Sequence, residues 1–496
     1  LLRRLYRHPH VLRGSGLHVA LLCLIVILGS VLRFCGLGRE SLWNDELASW
    51  LIGNQPTLSG VLDEVAADIH PPGYQILLYY VQQHLGETEF LLRLPSALAG
   101  AVAVPLTYLL GRRIYSGREG LISCAMMAVM WAPIYYSQEA RAYSLLLLAV
   151  LAAAYFWVPL ARSLIEGRIP ELTTVFGYIL CAAAACYLHY FGLLFVALQG
   201  AVAALPALRN LRGLALALAI YGAVALTYLP WLPGMLYQLE VSSERGGWIP
   251  APEPAAAPDF ARFLFNGSAW LLAVALALFG FLLARSLLSA AKEGRVADLP
   301  RSPGLLLALW LSGPFVIAYA ASVLFSPILT ERNLIISLPA ACLLLARSVT
   351  RLPGGAMGQS AAALGLAGVF LAHLIFSLDY YSEPQKTQFR EAAAYIAANG
   401  MPGEAVVVGC AHRLEYFNYY FERGGSPLRV RLWGCREEQL RGLFRTLEDR
   451  EPRQIWYIRA DRLPEEGVVR ALRRELEPAG HREFEGAEVW LFKEGG

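Results

Sequence analysis

Long apolar runs separated by short polar joints fill the first three quarters of the chain, and then the pattern changes. About 20 apolar residues span a bilayer as a helix. By that measure membrane helices are predicted near residues 17–36, 94–111, 119–136, 143–161, 172–189, 191–207, 213–232, 265–285, 304–325, 329–346 and 361–379. The apolar stretch of "HPPGYQILLYYVQQHLG" (His70–Gly86) is too short to cross, and is read as a segment that only dips into the membrane. The first run, 17–32, has no small-residue cleavage site after it, so it reads as a retained helix rather than a signal peptide. From residue 383 the periodicity alternates. "REAAAYIAANG", "LEYFNYYFERGG", "REEQLRGLFRTLEDR" and "EEGVVRALRRELEP" read as helices, while "AVVVGC", "LRVRLWG", "QIWYIRA" and "AEVWLF" read as strands. That alternation predicts a small α/β sandwich with a mainly parallel sheet.

Composition agrees with this division. The chain is 56% hydrophobic and 16% charged, against about 25% charged for a soluble domain. Charged side chains occupy about one position in three over 383–496 and about one in nine before it. The expected organisation is a polytopic α-helical membrane domain, 1–382, followed by a soluble α/β domain, 383–496. A net charge of +3 gives no reason to expect a nucleic-acid partner. There is no repeat of 20–50 residues, and "APEPAAAP" reads as a loop.

Lys and Arg collect in short cytoplasmic loops. With eleven spans and a cytoplasmic N-terminus, the inside segments hold 17 basic residues and the outside segments before the tail hold 6. A full crossing by His70–Gly86 would destroy that bias. The C-terminal domain is therefore expected outside, where an oxidising compartment permits a disulfide between Cys410 and Cys435. Plain core positions are the alternative for that pair. The other six cysteines read as packing residues.

On this topology the unusual polar residues share the outer face. "SLWNDELASW" carries Asp45 and Glu46 just after the first span. They read either as acids at a helix N-terminus or as a general base in a partly apolar crevice, where burial raises a carboxylate toward the working pH. His70, in "DIHPPGYQ", reads as a loop hydrogen-bond donor or as a group facing a phosphate or metal. Glu139 and Arg141, in "YYSQEARAYS", read as a turn-stitching ion pair or as functional groups at the membrane edge. Arg93 and Arg332 start spans, where they snorkel to headgroups or grip a phosphate with the planar guanidinium fork. His189 and Tyr190 occupy another outer turn. Trp248 lies in "GGWIPAPEP", a loop able to fold over a substrate.

In this order the motifs resemble the GT-C superfamily of membrane glycosyltransferases, and most of all glycosyltransferase family 39, with protein O-mannosyltransferases and bacterial aminoarabinose transferases as relatives. The resemblance covers roughly 17–380 and rests on "SLWNDELASW", "DIHPPGYQILL", "ETEFLLRLPSALAG", "GRRIYS", "YYSQEARAYSLLLL", "LHYFG" and "ILTERNLIISLPA". It implies a GT-C fold and an inverting glycosyltransferase. The sugar would pass from a polyprenyl-phosphate donor to a lipid, glycan or protein acceptor on the outer face of a bacterial inner membrane. The family's catalytic acid maps to Asp45, with Glu46 beside it; His70 and Arg93 map to the donor side. Two departures count. The aminoarabinose transferases carry Lys where this chain has His70, which argues against the lipid A reaction. The second acidic metal motif of oligosaccharyltransferases has only Glu139 here, with no Asp-x-Asp, so no cofactor is implied and a divalent metal is left open. The rival readings are an oligosaccharide ligase with a lipid-diphosphate donor, and a non-enzymatic transporter or flippase of glycolipids. A transporter predicts charges near the midplane and repeat symmetry, and the sequence has neither.

Overall fold

The computed structural model describes residues 16–208, 210–245, 249–293, 302–401, 404–409, 414–423, 431–434, 454–460 and 466–493. Trp248, Cys410, Cys435 and the expected helix "REEQLRGLFRTLEDR" lie outside the described residues. Close contacts divide the chain into two compact units. One comprises the chain up to Leu37 together with Gln55–His84 and Arg93–Asp379; the other comprises Gly38–Asn54, Leu85–Leu92 and the chain from Tyr380 onward. A single cut near residue 382 thus misses two short segments that belong with the tail. One of them carries Asp45 and Glu46.

In the first unit, nine helices among the described residues are long and apolar enough to cross a membrane. A tenth consists of Gly117–Val129 and Trp131–Gln138, bent by 63°. The eleventh expected segment is the 17-residue apolar helix Leu172–Leu188. Every span predicted by hydropathy is therefore helical. His70–Gly86 forms only the 12-residue helix Gly73–His84, about 18 Å long at the helical rise, which is too short to cross.

The bend has a local cause. Pro133 lacks an N–H, and its ring collides with the carbonyl of the residue four before it, Val129. The groups freed at the break need partners, because lipid offers none. Arg33, fully buried in the helix Gly16–Phe34, donates to the carbonyls of Met127 at 2.8 Å and Ala128 at 3.3 Å. The N–H of Trp131 donates to Asn266 Oδ1 at 2.8 Å.

In the second unit a five-stranded sheet forms from β1 (Ala405–Val408), β2 (Arg431–Gly434), β3 (Gln454–Ala460), β4 (Glu477–Phe484) and β5 (Ala487–Lys493). The order is β2-β1-β3-β5-β4. β1 runs parallel to β2 and β3, whereas β5 is antiparallel to both β3 and β4. The sheet is mixed, not mainly parallel as expected. The difference comes from β4, an edge strand whose residues are almost all exposed. With Glu477, His481, Arg482 and Glu483 along it, β4 shows no apolar alternation to read, and charge of this kind protects an edge from pairing with other chains. Gly486, at φ 68°, makes the tight turn into β5, a backbone region that glycine enters freely. Val407, Ile455, Tyr457 and Phe492 form the sheet side of the core, covered by Val468 and Leu472 of the helix Glu466–Glu475.

Candidate functional site

Within the first unit, four helix joints bring their polar residues together. Pro71 and Pro72 precede the helix Gly73–His84, so the chain enters it extended and His70 stands free of helical geometry. Its Nδ1 lies 3.1 Å from Asp68 Oδ2 and its Nε2 lies 3.2 Å from Arg141 Nη2. A guanidinium can only donate. Nε2 of His70 therefore accepts, and Nδ1–H donates to the Asp68 carboxylate. This fixes one neutral tautomer between an anion and a cation.

The electrostatics follow the geometry. Burial and the Arg141 charge hold His70 below the ordinary histidine value, helped by Arg332 and opposed by Asp68. Burial pushes the Asp68 carboxyl up, but the hydrogen bond from His70, with the Arg141 charge beyond, outweighs it and leaves Asp68 below the ordinary value.

The other joints complete the cluster. The His189 ring stands edge-on to His70, with centroids 5.5 Å apart, and its Nδ1 accepts from the Phe191 N–H at 3.1 Å. Tyr143 lies 5.8 Å from His189, and the Arg332 guanidinium stands 5.9 Å over the Tyr143 ring. Arg141 is 7% exposed and Glu139 is 1% exposed at the same turn. Tyr190 reaches the cluster through a mediator. It donates to Gln238 Oε1, and Gln238 Nε2 in turn donates to the carbonyls of Val65 at 2.6 Å and His70 at 3.0 Å. The loop that presents His70 is thereby fastened at its backbone. Close helix contact fixes it from the other side: a Cβ at Gly73 would lie 2.6 Å from the Tyr187 carbonyl oxygen.

Arg93 is placed differently. It is 1% exposed and donates to the Leu37 carbonyl at 3.0 Å, anchoring the chain where it leaves the first span. One turn on, Ser96 Oγ donates to the Arg141 carbonyl at 3.0 Å.

In the second unit, Asp45 and Glu46 sit in the first turn of the helix Asn44–Gly53. Their surroundings differ. Asp45 is half-buried, and its Oδ1 receives Asn44 Nδ2 at 3.4 Å. Glu46 is fully buried; Oε2 accepts the Trp43 N–H at 3.3 Å, and Oε1 pairs with Lys386 Nζ at 3.2 Å. Trp50 donates to Glu87 Oε2 at 2.8 Å.

Sequence reasoning missed Asp68, Gln238, Arg33 and Lys386. Asp68 lies two residues before His70 and was readable as its orienter. Arg33 carries the signal of any cation inside an apolar run. Gln238 and Lys386 have no local signal, because their roles depend on chain far away in sequence. Among the described residues, no group of three or more His, Cys, Asp or Glu is arranged to hold a metal ion.

These joints lie at the ends of apolar helices which, with the small sheet domain after them, have the GT-C membrane-protein fold. Residues 69–232 match the family described as dolichyl-phosphate-mannose-protein mannosyltransferase. The chain superposes on ArnT from Cupriavidus metallidurans in the apo state with a TM-score of 0.62 at 13% identity, covering 96% of this chain and 98% of that one. Against the same protein bound to undecaprenyl phosphate the TM-score is 0.54, at 13% identity and the same coverage. Against the archaeal oligosaccharyltransferase AglB from Archaeoglobus fulgidus, in complex with an inhibitory peptide and a dolichol-phosphate, the TM-score is 0.50 at 12% identity, covering 89% and 69% of the two chains. A sequence comparison with curated proteins finds no match.

Proposed function

We propose that the protein is an inverting glycosyltransferase that takes a sugar from a polyprenyl-phosphate donor and passes it to an acceptor hydroxyl on the outer face of a bacterial inner membrane. The observation that carries this reading is the joint cluster, where Arg141, Arg332 and a neutral His70 gather at helix ends of a GT-C fold. The structural likeness to a protein solved with undecaprenyl phosphate supports a lipid-phosphate ligand for that cluster.

The chemistry needs one displacement. The acceptor oxygen attacks the anomeric carbon from the face opposite the phosphate, and the glycosidic C–O bond to phosphate breaks with its electron pair leaving on the phosphate. Asp45 takes the proton of the attacking hydroxyl. Arg141 and Arg332 stabilise the charge that builds on the leaving phosphate, being already oriented before the reaction starts. The leaving group needs no proton, so a second acid of the glycosidase kind has no task. Glu46 supports Asp45 rather than sharing its role, because both Glu46 oxygens are engaged in a buried pair and a helix start. Tyr190 holds the His70 loop through Gln238, and Arg93 anchors the neighbouring chain.

The test is binding of a polyprenyl phosphate to wild type and to Arg141→Gln in detergent. A dissociation constant raised by about tenfold to a hundredfold, the range for one charge-assisted phosphate contact, supports the reading. Equal affinity overturns it.

A further inference from the structure

Three consecutive residues leading into the C-terminal domain each hold the segment that carries the acidic pair. The Gln385 N–H donates to Glu40 Oε1 at 2.6 Å, Lys386 Nζ meets Glu46 Oε1 at 3.2 Å, and the Thr387 carbonyl accepts from Ser41 Oγ. Tyr420 adds a fourth tie, its hydroxyl accepting from the Leu42 N–H at 2.6 Å. The bonded partners on the acidic side run from Glu40 to Glu46, so the clip spans the whole approach to the helix Asn44–Gly53.

The central tie differs in kind from its neighbours. The Lys386 side chain is 2% exposed and that of Glu46 is 0% exposed. A buried ion pair recovers little net stability, since desolvation consumes most of the attraction, but it tolerates few alternative geometries. Glu46 also receives the Trp43 N–H, so the same carboxylate fixes both the helix start and the clip. Asp45 precedes Glu46 by one residue on that turn. Moving Glu46 rotates the turn and carries the Asp45 carboxylate with it.

We propose that Lys386 is a positioning residue: through its buried pair with Glu46, the C-terminal unit sets the geometry of Asp45. The inference rests on the reading of Asp45 as the base. It makes the tail a part of the catalytic apparatus in the full chain.

The test compares turnover, donor KM and melting temperature for the full-length Lys386→Met, Glu46→Gln, the double variant, Lys386→Arg and Asp45→Asn proteins. A base displaced by about 1 Å loses on the order of a hundredfold in rate. Lys386→Met and Glu46→Gln are each expected to lower kcat by about tenfold to a hundredfold, with donor KM within about twofold of wild type. The double variant is expected to be no slower than the worse single one, because both changes remove one constraint. Lys386→Arg is expected to restore most of the rate. Wild-type kcat in the single variants with only a lowered melting temperature overturns the proposal, as does a double variant whose loss is the product of the single losses. If Lys386→Met does not fold, Glu46→Gln against Lys386→Arg decides by the same criteria. An active Asp45→Asn protein overturns the base assignment itself. An inactive Asp45→Asn beside a fully active Lys386→Met overturns the proposal alone.

Discussion

His70 lies between the Asp68 carboxylate and the Arg141 guanidinium, and in the free protein it is neutral. Its protonation should therefore accompany donor capture. Arg141 is 3.2 Å from Nε2 and Asp68 is 3.1 Å from Nδ1. An anionic phosphate arriving at Arg141 turns the guanidinium away and replaces its repulsion with attraction. Two charges about 4 Å apart interact by roughly 4 kcal/mol at an effective dielectric of about 20. Solvent screening lowers that figure, since the His70 and Asp68 side chains are 18% and 29% exposed. The attraction that remains raises the His70 pKa in the complex above its value in the free protein. The polyprenyl-phosphate sugar is a phosphodiester with one fixed charge, so it adds no titration of its own near neutrality. Linkage then makes donor affinity strengthen as pH falls between the bound and free pKa values, by at most tenfold per pH unit for one proton. The assay is donor binding to wild type, His70→Lys and His70→Gln from about pH 5.5 to about pH 8. Wild type should show the slope, the lysine variant should bind tightly with little pH dependence, and the glutamine variant should bind weakly at every pH. A flat wild-type profile in folded protein, or equal affinity in His70→Gln, refutes the reasoning.

Free-protein stability should carry the opposite sign. His70 lies below its ordinary pKa in the fold, so the unfolded chain binds the extra proton first. Stability present above about pH 6.5 is lost as pH falls toward the folded value, at up to about 1.4 kcal/mol per pH unit. Melting temperatures across that window check this, and His70→Gln should make the slope shallower. Arg33→Met should destabilise the protein by about 2–4 kcal/mol. The carbonyls of Met127 and Ala128 lose a charged donor, at about 1.5–3 kcal/mol per bond, and relief from burying a charge offsets part of the loss. Detergent-based unfolding checks the value, and an unchanged midpoint would contradict the role at the bend. Gly73→Ala places a methyl against the Tyr187 backbone. Overpacking of this kind costs about 1–3 kcal/mol, and donor binding should weaken with the displaced His70 loop; a variant with normal melting and binding would show that the helices can separate freely.

The transmembrane helices were legible because a bilayer makes a simple demand on length and apolarity. Pro133 marked the bend between Gly117–Val129 and Trp131–Gln138, yet the apolar run concealed it, since hydropathy ignores hydrogen-bond geometry. In the C-terminal sheet, β1 and β3 showed as buried apolar runs, while the charged edge strand β4 gave no periodic signal. At the site, His70, Arg141, His189 and Arg332 were visible as polar residues at joints, where nothing in an apolar run accounts for them. Their alignment was not: Gln238 fastens the His70 carbonyl from more than a hundred residues away. The difference between Asp45 and Glu46 was hidden for the same reason, because it depends on Lys386, placed in the chain after all the spans.

Release of polyprenyl phosphate during transfer tests the central claim most directly. Purified wild type and Asp45→Asn are incubated with a panel of polyprenyl-phosphate sugars and candidate acceptors, and both free lipid phosphate and glycosylated product are followed. The account predicts that wild type forms both in step, and that Asp45→Asn binds donor but releases neither. Equal turnover by the two proteins would contradict the assignment of Asp45, and a wild type that binds no such donor would contradict the glycosyltransferase reading.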